Sequence, residues 1–565
     1  MTMSRRSTTG CTACKKRRKK CDEGKPQCQR CLTSRIPCSY DFIEYPSSVA
    51  HLVQRTRPAP RSVAELLASL SRDLASSNSS NSALPVSPNL SETVDVLSPI
   101  HFASHQQSFS GLSSSRLPPG LLQWVTGVSR DTPTQPTSVT SQVAWSFHDD
   151  CEDYDPEGIH AVLCTAPTMH RNLKENTLPF VLQCYAQWAI VSVFEPLKIA
   201  HTMKEQVVQQ FSSEDTRTRC ILMANVMEMF GRQLVVDETR LPIVTHLTSE
   251  VRASCSSFIA LWPSESLVPG LDKQNAMRIL DSTLEVRIMT LQIYTQPMAA
   301  CIQLMEEAAP VFRRACSEPP GQALNLPNIL LESGLNLRHY ASVDVMTSTL
   351  TGRPTFFKYY VPFSLELCEQ ILQSQENSGL RWLHGVPDQF IIMIAWINSL
   401  CEIPGASTDL GLISRIERDL PQITIAVGHQ GDSALCIGRM AVQECWRYSM
   451  FIYLYMALCG ANASDPRVVR AQKGFMRLVK GIKPGRNPDA FLVSPMIIAG
   501  IATRKERDRD VLRERVLNLR EYTTPHTSGN DAWMQVEEVW ARTRVEGRVA
   551  VWSDLRIACF TISGK

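Results

Sequence analysis

Six cysteines in the first forty residues are spaced as metal ligands. Their pattern, C-x2-C-x6-C-x6-C-x2-C-x6-C, contains one C-x2-C-x6-C unit twice and comprises Cys11, Cys14, Cys21, Cys28, Cys31 and Cys38. A tetrahedral zinc ion needs four ligands, and each unit supplies only three thiolates. Six sulfurs can fill two tetrahedral sites only if two of them bridge both ions. The spacing therefore predicts a centre of two Zn²⁺ ions that needs no histidine.

Basic residues fill the six positions between the second and third cysteines: Lys15, Lys16, Arg17, Arg18, Lys19 and Lys20. Residues 1–40 carry a net charge of +9, so the other 525 residues carry −6. With six thiolates and two Zn²⁺ included, residues 1–40 would keep a net charge of about +7. Such a surface neutralises phosphates and releases counterions, and Arg or Lys in the major groove can donate to guanine O6 and N7. We therefore expect double-stranded DNA as a partner.

Other cysteine-rich modules fit this pattern less well. A disulfide framework needs a secretory route, but residues 1–10 are polar and no apolar signal segment follows them. RING and LIM modules normally include histidine and have other spacings, and a metallothionein-like store is denser in cysteine. The basic run is also typical of a nuclear import signal, so we expect the protein in the nucleus.

Residues 41–142 are interpreted as a linker between a cysteine module at 1–40 and a body at 143–565. From Ser76 to Thr140, 32 of 65 residues are Ser, Thr, Pro or Asn, so burial cannot offset chain entropy and we expect disorder. Ser62 and Glu65 form a capping box before a short apolar stripe, which predicts a helix over 62–75. This helix is shorter than a stable coiled coil needs, so a homodimer stays an open alternative.

The body is rich in apolar residues at helical spacing. The longest face runs from Met277 to Met305 for about eight turns, with Pro297 expected to kink it. Alternating strand patterns are nearly absent. The predicted fold class is therefore a small metal-stabilised module joined by a disordered linker to a large all-α domain. Asn176–Phe194 is uncharged, and we interpret it as a buried core helix rather than a membrane span.

Catalytic motifs are missing from the sequence, including GxGxxG, GxxxxGK[ST], HExxH and GxSxG. We therefore expect no catalytic residues and no enzyme activity. Asp149–Gly158 has acidic residues near calcium-loop positions, but Pro156 lies inside the loop and Cys164 stands where the bidentate glutamate should be. The segment instead predicts an acidic lead-in to a helix.

Two further features of the body are charged. Arg353 and Arg486 lie beside glycine and proline, which predicts exposed turn arginines, with an anionic effector as the alternative. The run Arg504–Glu521 alternates in charge around apolar residues and predicts a solvated amphipathic helix that does not bind nucleic acid.

The cysteine frame with its basic first loop resembles the fungal binuclear zinc cluster (Zn₂Cys₆) family of transcription factors. The resemblance implies that Cys11 and Cys28 bridge the ions, that one zinc also holds Cys14 and Cys21, and that the other holds Cys31 and Cys38. It also implies reading of CGG-type triplets through Arg17 and Arg18, with Lys15, Lys16, Lys19 and Lys20 on phosphates. Lys25-Pro26 matches the family's loop proline, and Pro26 is expected to fix that turn.

The body, over residues 145–560, resembles the helical regulatory domain that accompanies such clusters. The segments that carry this likeness are NTLPFVLQCYAQW (176–188), VFEPLKIA (193–200), GRPTFF (352–357), GVPDQF (385–390) and NPDAFLVSPMIIAGIA (487–502). The resemblance implies a regulator of RNA polymerase II transcription whose partners are the transcription machinery or co-regulators.

Two rival functions stay open at this point. One is a small-molecule sensor or enzyme-like helical domain that the zinc cluster tethers to chromatin; a deep polar pocket with convergent charges would favour it, and a closed apolar core would not. The other is a metal-buffering or scaffold protein; two zinc ions per chain would favour the regulator over such a store.

Overall fold

The computed structural model describes residues 11, 13–14, 17, 21–22, 27–38, 121, 155, 157–164, 177–232, 240–260, 269–283, 293–332, 334–374, 380–425 and 433–565. The chain divides into two compact units, Met1–Val86 and Ser87–Lys565. The predicted helix over 62–75 lies outside the described residues, and so does the predicted linker over 41–142 except for Leu121.

The first unit is built around its cysteines. Cys11, Cys14, Cys21, Cys28 and Cys31 form its buried cluster, and Ala13 and Cys38 pack against that cluster. One short helix, α1 (Gln29–Thr33), follows the fourth cysteine. Since the buried side chains are almost all cysteines, this unit has no apolar core among its described residues that could hold it together.

The second unit is all-α, as the apolar periodicity predicts. Its helices before the first strand are α2 (Ile159–Cys164), α3 (Thr177–Ser192), α4 (Leu197–Gln210), α5 (Glu214–Arg232), α6 (Leu241–Ala260), α7 (Pro269–Thr283) and α8 (Met298–Ala315). The two strands, β1 (Leu324–Asn325) and β2 (Tyr359–Tyr360), form one short parallel pair. Between them lie α9 (Leu326–Leu331) and α10 (Leu335–Thr351).

The remaining helices follow the second strand. They are α11 (Leu365–Ser374), α12 (Arg381–His384), α13 (Asp388–Cys401), α14 (Leu410–Asp419), α15 (Ser433–Tyr453), α16 (Pro466–Gly481), α17 (Arg486–Ile501), α18 (Glu506–Leu517), α19 (Arg520–Thr523), α20 (Ser528–Val545) and α21 (Ser553–Ser563). A π-helical segment, Leu454–Leu458, continues α15. The long helix α15 packs against α16, α17 and α13, and it thus lies at the centre of the C-terminal half.

The predicted continuous helix from Met277 to Met305 is wrong. Residues 284–292 lie outside the described residues, residues 293–295 are helical, and α8 begins at Met298 after an extended Pro297 (ψ 154°). Helices α7 and α8 pack against each other, so they are separate elements of one layer. Proline has no N–H and restricts the residue before it to extended conformations. Pro297 therefore ends the helical hydrogen bonding here and does not merely kink the helix.

The segment Asn176–Phe194 was expected to be a buried core helix, and α3 confirms this. Its residues Tyr185 and Trp188 are buried, and it packs against α2 and α5. No helix in the described part of the chain is long and apolar enough to cross a membrane. The loop after α3 is fixed by backbone bonds, since the N–H groups of Phe194 and Glu195 donate to the carbonyls of Leu383 and Trp382.

Acidic residues precede α2 as the sequence predicts. The carboxylate of Asp155 accepts hydrogen bonds from the N–H groups of Ile159 and His160 at 2.8 and 2.9 Å, which satisfies two free donors of the helix. Glu157 forms a buried ion pair with Arg439 of α15 at 2.6 Å. The segment therefore anchors α2 to the body by hydrogen bonds and charge.

Three arginines predicted to be exposed are instead buried or paired. Arg353 pairs with Glu306 at 3.4 Å, and Arg486 pairs with the buried Glu521. On α18 the predicted amphipathic pattern is correct, but Arg515 is only 4% exposed. Its guanidinium pairs with Asp489, and it also donates to the carbonyls of Val479 and Ile482. Sequence charge alone could not show this, because the partners come from other helices.

Replacement of Arg515 by alanine should destabilise the helical unit strongly. The change leaves the Asp489 carboxylate and two carbonyls buried without their partner, which costs about 3–5 kcal/mol of unfolding free energy. The matched control is Arg544→Ala, because Arg544 pairs with Glu506 at the surface, where the loss is below about 1 kcal/mol. Urea unfolding followed by circular dichroism measures both; equal losses would contradict the buried pair.

Candidate metal centre

The two cysteine units fold with the same hydrogen bonds. In the first unit the N–H of Cys14 donates to Sγ of Cys11 and the N–H of Cys11 donates to Sγ of Cys21, both at 3.4 Å. In the second unit the N–H of Cys31 donates to Sγ of Cys28 at 3.4 Å, and the N–H of Cys28 donates to Sγ of Cys38 at 3.3 Å. The repeat seen in the sequence is therefore also a repeat in the backbone.

The six sulfurs come together as two groups of four. One group contains Cys11, Cys14, Cys21 and Cys28, and the other contains Cys11, Cys28, Cys31 and Cys38, with all ligand atoms of a group within 4.8 Å of one another. Cys11 and Cys28 belong to both groups, and their sulfurs are 3.6 Å apart. No further group of metal-ligating side chains occurs among the described residues.

The distances between sulfurs suit zinc. Zn–S bonds of about 2.3 Å place the corners of a tetrahedron about 3.8 Å apart. The Sγ atoms of Cys11 and Cys31 are 3.6 Å apart, and those of Cys14 and Cys28 are 3.7 Å apart. Four thiolates also form a donor set typical of structural zinc sites. Each group of four can thus hold one tetrahedral ion without a change in fold.

The two cysteines common to both groups, Cys11 and Cys28, have pKa values below the ordinary value of a thiol. Burial raises the pKa of the Cys11 thiol, but the N–H of Cys14 and neighbouring thiols outweigh it, so that the pKa lies below its ordinary value. The N–H of Cys31 has the same effect on Cys28, whose pKa is also lowered despite burial. Burial raises the pKa of Cys14 to about 12. The protein thus favours the thiolate form at the two positions where one sulfur would serve two metals.

Asp22 connects the two halves of this centre. Its carboxylate accepts hydrogen bonds from the backbone N–H groups of Gln29 at 2.8 Å and Arg30 at 3.3 Å, at the start of α1. A carboxylate at a helix N-terminus satisfies free donors and complements the helix dipole. From the sequence, Asp22 was recognised only as a negative charge and not as a helix cap. An acidic residue directly after the third cysteine is the signal that could have identified this cap.

The basic run is described only at Arg17. Arg17 is exposed, and its N–H donates to the carbonyl of Ala13 at 3.1 Å, one helical turn earlier. The other five residues of the run, Lys15, Lys16, Arg18, Lys19 and Lys20, lie outside the described residues, and so does Pro26. The exposed Arg17 thus lies in the turn that also contains the buried Cys14.

Two family models match this chain. Residues 9–43 match the fungal Zn(2)-Cys(6) binuclear cluster domain, and residues 298–557 match the fungal specific transcription factor domain. The first match contains all six cysteines and the whole basic run. The second runs from the start of α8 into α21. Zinc binding at the cysteine groups follows from the first model together with the geometry.

Three curated relatives match short segments of the chain. Sterol uptake control protein 2 of Saccharomyces cerevisiae is 51% identical over 35 residues, which are 6% of this chain and 4% of the relative. Transcriptional regulatory protein pro1 of Neurospora crassa is 55% identical over 38 residues, 7% of this chain and 6% of the relative. The Zn(2)-C6 fungal-type transcription factor afumD of Aspergillus fumigatus is 54% identical over 37 residues, 6% and 10% respectively.

The likeness to these proteins is local. The chain spans a tenth or less of the length of the curated relatives it matches. No solved structure matches the chain. The curated relatives therefore cover only a small part of the chain, and residues 298–557 are related to known proteins through their family model.

Loss of the Asp22 carboxylate should weaken zinc binding. Asp22→Ala removes the acceptor from the start of α1, which costs about 1 kcal/mol and lowers zinc affinity about fivefold. Asp22→Asn is the matched control, because it keeps an acceptor oxygen and should lose less. Competition with a chromophoric chelator measures both affinities, and an Asp22→Ala protein with unchanged affinity would exclude the cap as a support of the site.

Proposed function

Since the chain belongs to the fungal Zn₂Cys₆ family of transcription factors, we propose that it is a nuclear, sequence-specific DNA-binding regulator of RNA polymerase II transcription. The observation that carries this proposal is the pair of four-sulfur groups that share Cys11 and Cys28. The proposed organisation is a DNA-binding module at 1–40, a linker at 41–142 and a regulatory domain at 143–565.

The proposed centre contains two Zn²⁺ ions, with Cys11 and Cys28 as bridging ligands. One ion would also be held by Cys14 and Cys21, and the other by Cys31 and Cys38. Six sulfurs in two groups of four support this number, because a single ion would leave two buried thiols without a metal. The rival hypothesis of a metal-storage protein is not favoured, since storage does not need an exposed cation such as Arg17 beside the metal ligands.

The proposed DNA contacts divide into two kinds. Arg17 and Arg18 would read guanines of CGG-type triplets in the major groove, because a guanidinium can donate two hydrogen bonds to O6 and N7. Lys15, Lys16, Lys19 and Lys20 would neutralise phosphates, which fixes the position of the module but does not select sequence. The exposure of Arg17 on the turn after Cys14 supports this division.

The helical domain would regulate through partners. We expect the transcription machinery or co-regulators to contact it. A second copy of the chain is a further possible partner, and the spacing between two DNA half-sites would reveal such a homodimer. The transcription factor domain model supports regulation over catalysis. We therefore propose no catalytic residues for this chain.

Cys28→Ala should abolish specific DNA binding. The change removes a ligand from both proposed ions at once, and a forty-residue module whose described residues form no apolar core cannot stay folded without its metal. Cys164→Ala is the control, because Cys164 is exposed on α2 and belongs to neither sulfur group. Metal analysis should give two zinc per chain for the wild type and the control. A gel shift by Cys28→Ala equal to that of the wild type would refute the model.

Arg18→Ala should change selectivity more than overall affinity. Loss of one bidentate contact costs about 1–3 kcal/mol of discrimination between cognate and altered triplets. Lys15→Ala is the comparison variant, because loss of a phosphate contact should weaken all sequences alike and lower the salt slope by about 1. Selection from a random DNA pool tests both and shows whether one triplet or two are bound. The proposed roles are wrong if Lys15→Ala alters the selected triplet and Arg18→Ala does not.

A further inference from the structure

The helical unit contains a partly open cavity of about 240 Å³. Helices α3, α8, α10, α15, α17 and α20 contribute to its wall, and apolar side chains such as Ile302, Met305, Leu350, Phe491 and Ile497 form most of it. Protein interiors contain few voids larger than a water molecule, and an engineered apolar cavity of about 150 Å³ already binds benzene. The cavity is therefore large enough for a small organic molecule.

On this wall the indole N–H of Trp446 on α15 and the hydroxyl of Ser342 on α10 are buried without a hydrogen-bond partner among the described residues, and so is the hydroxyl of Ser192 on α3. Trp446 is 1% exposed and Ser342 is 2% exposed, so bulk water does not solvate them. Buried polar groups are nearly always paired in native proteins. Each of these groups can donate a hydrogen bond, so an acceptor atom within the cavity would satisfy it.

The cavity wall presents no free charge from the described residues. The nearby Arg486 does not line the cavity: its Nη1 pairs with Glu521 and its Nε donates to the carbonyl of Val191, while its Nη2 has no hydrogen-bond partner among the described residues. His384 also lines the cavity, and burial lowers its pKa to about 4, so that it is neutral at physiological pH. Its Nε2 lies 3.0 Å from Nε2 of the buried His339. An ionic ligand would lose its hydration here without gaining a counter-charge, which disfavours it.

We propose that this cavity binds an uncharged, mainly apolar small molecule that carries an oxygen acceptor for the indole N–H of Trp446. Since a cavity of about 150 Å³ binds benzene, a ligand that fills this cavity of about 240 Å³ would have about ten non-hydrogen atoms. The inference concerns the helical unit alone and goes beyond the proposed DNA-binding function, so either can fail without the other. A deep polar pocket with convergent charges is what the sequence-based hypothesis of a sensor requires. The cavity is instead apolar and neutral, so it favours uncharged ligands.

Three probes of similar size test the ligand class in the zinc-loaded full-length chain. Acetophenone has a carbonyl acceptor, isopropylbenzene has the same shape without an acceptor, and benzoate is an anion. Ligand-detected NMR and calorimetry should show the tightest binding for acetophenone, weaker binding for isopropylbenzene and none for benzoate. Failure of all three to bind, or preference for benzoate, would overturn the proposal without any variant.

Trp446→Phe tests the donor, because it keeps an aromatic ring and removes the N–H. Acetophenone affinity should fall about fivefold, as expected for one buried hydrogen bond, while isopropylbenzene affinity stays unchanged. Trp533→Phe is the matched control: Trp533 is also buried with an unpartnered indole N–H in the described part of the chain, but it does not line the cavity. Equal effects of the two substitutions, or none from Trp446→Phe, would contradict the assigned contact.

DNA binding separates this test from the proposed function. Trp446→Phe should bind selected DNA like the wild type, since the residue belongs to the helical unit and not to the cysteine module. Indole ¹⁵N–H spectra add a direct readout, because the resonance lost in Trp446→Phe should shift when acetophenone is added to the wild type. A shift confined to other tryptophans would place the probe elsewhere and refute the site.

Discussion

The first unit depends on its cysteine sulfurs, which form two groups of four that share Cys11 and Cys28, because its described residues bury cysteine side chains and little else. Without metal such a segment cannot offset the entropy of ordering its chain by apolar burial. Binding of structural zinc contributes on the order of 10–16 kcal/mol, which is enough to fold a small module. The backbone prepares this centre, since each C-x2-C-x6-C unit directs two N–H groups at its own sulfurs. Folding, metal binding and the presentation of Arg17 are thus consequences of one set of bonds.

The helical unit is stabilised in a different way. It has a large apolar core of its own, which includes the fully buried Trp188, Trp446, Trp533 and Trp540. Buried arginines connect distant parts of the chain, as Arg439 does with Glu157 and Arg515 does with Asp489. Because removal of one partner leaves a buried charge, these pairs fix which helices pack together more than they add net stability. The same packing leaves the cavity beside Trp446 and Ser342.

The sequence predicts local features well where one physical rule decides them. Ligand counting predicts that two of the six sulfurs are shared, and the family resemblance implies that these are Cys11 and Cys28. The all-α class follows from apolar spacing, and the N-terminal cap of α2 follows from its acidic lead-in. The break at Pro297 was misread as a kink, because two packed helices that face one core show the same spacing as a single long helix. Local rules therefore give the type of an element more securely than its continuity.

Other features depend on contacts between distant residues and could not be read from local patterns. The burial of Arg515 depends on Asp489 and on two carbonyls of neighbouring segments. The cap by Asp22 depends on the approach of the two cysteine units. A cavity is even less predictable, since it is defined by where side chains from several helices do not meet. These are the features for which the three-dimensional arrangement was needed.

X-ray absorption spectroscopy at the zinc edge of the metal-loaded chain tests the shared-thiolate centre most directly. Two tetrahedra that share two sulfurs place their metals about 3 Å apart, with four Zn–S bonds of about 2.3 Å at each ion. The account predicts a first shell of four sulfurs and a second-shell zinc–zinc signal at that distance. A first shell that contains nitrogen or oxygen ligands, or the absence of the zinc–zinc signal at two zinc per chain, would contradict it.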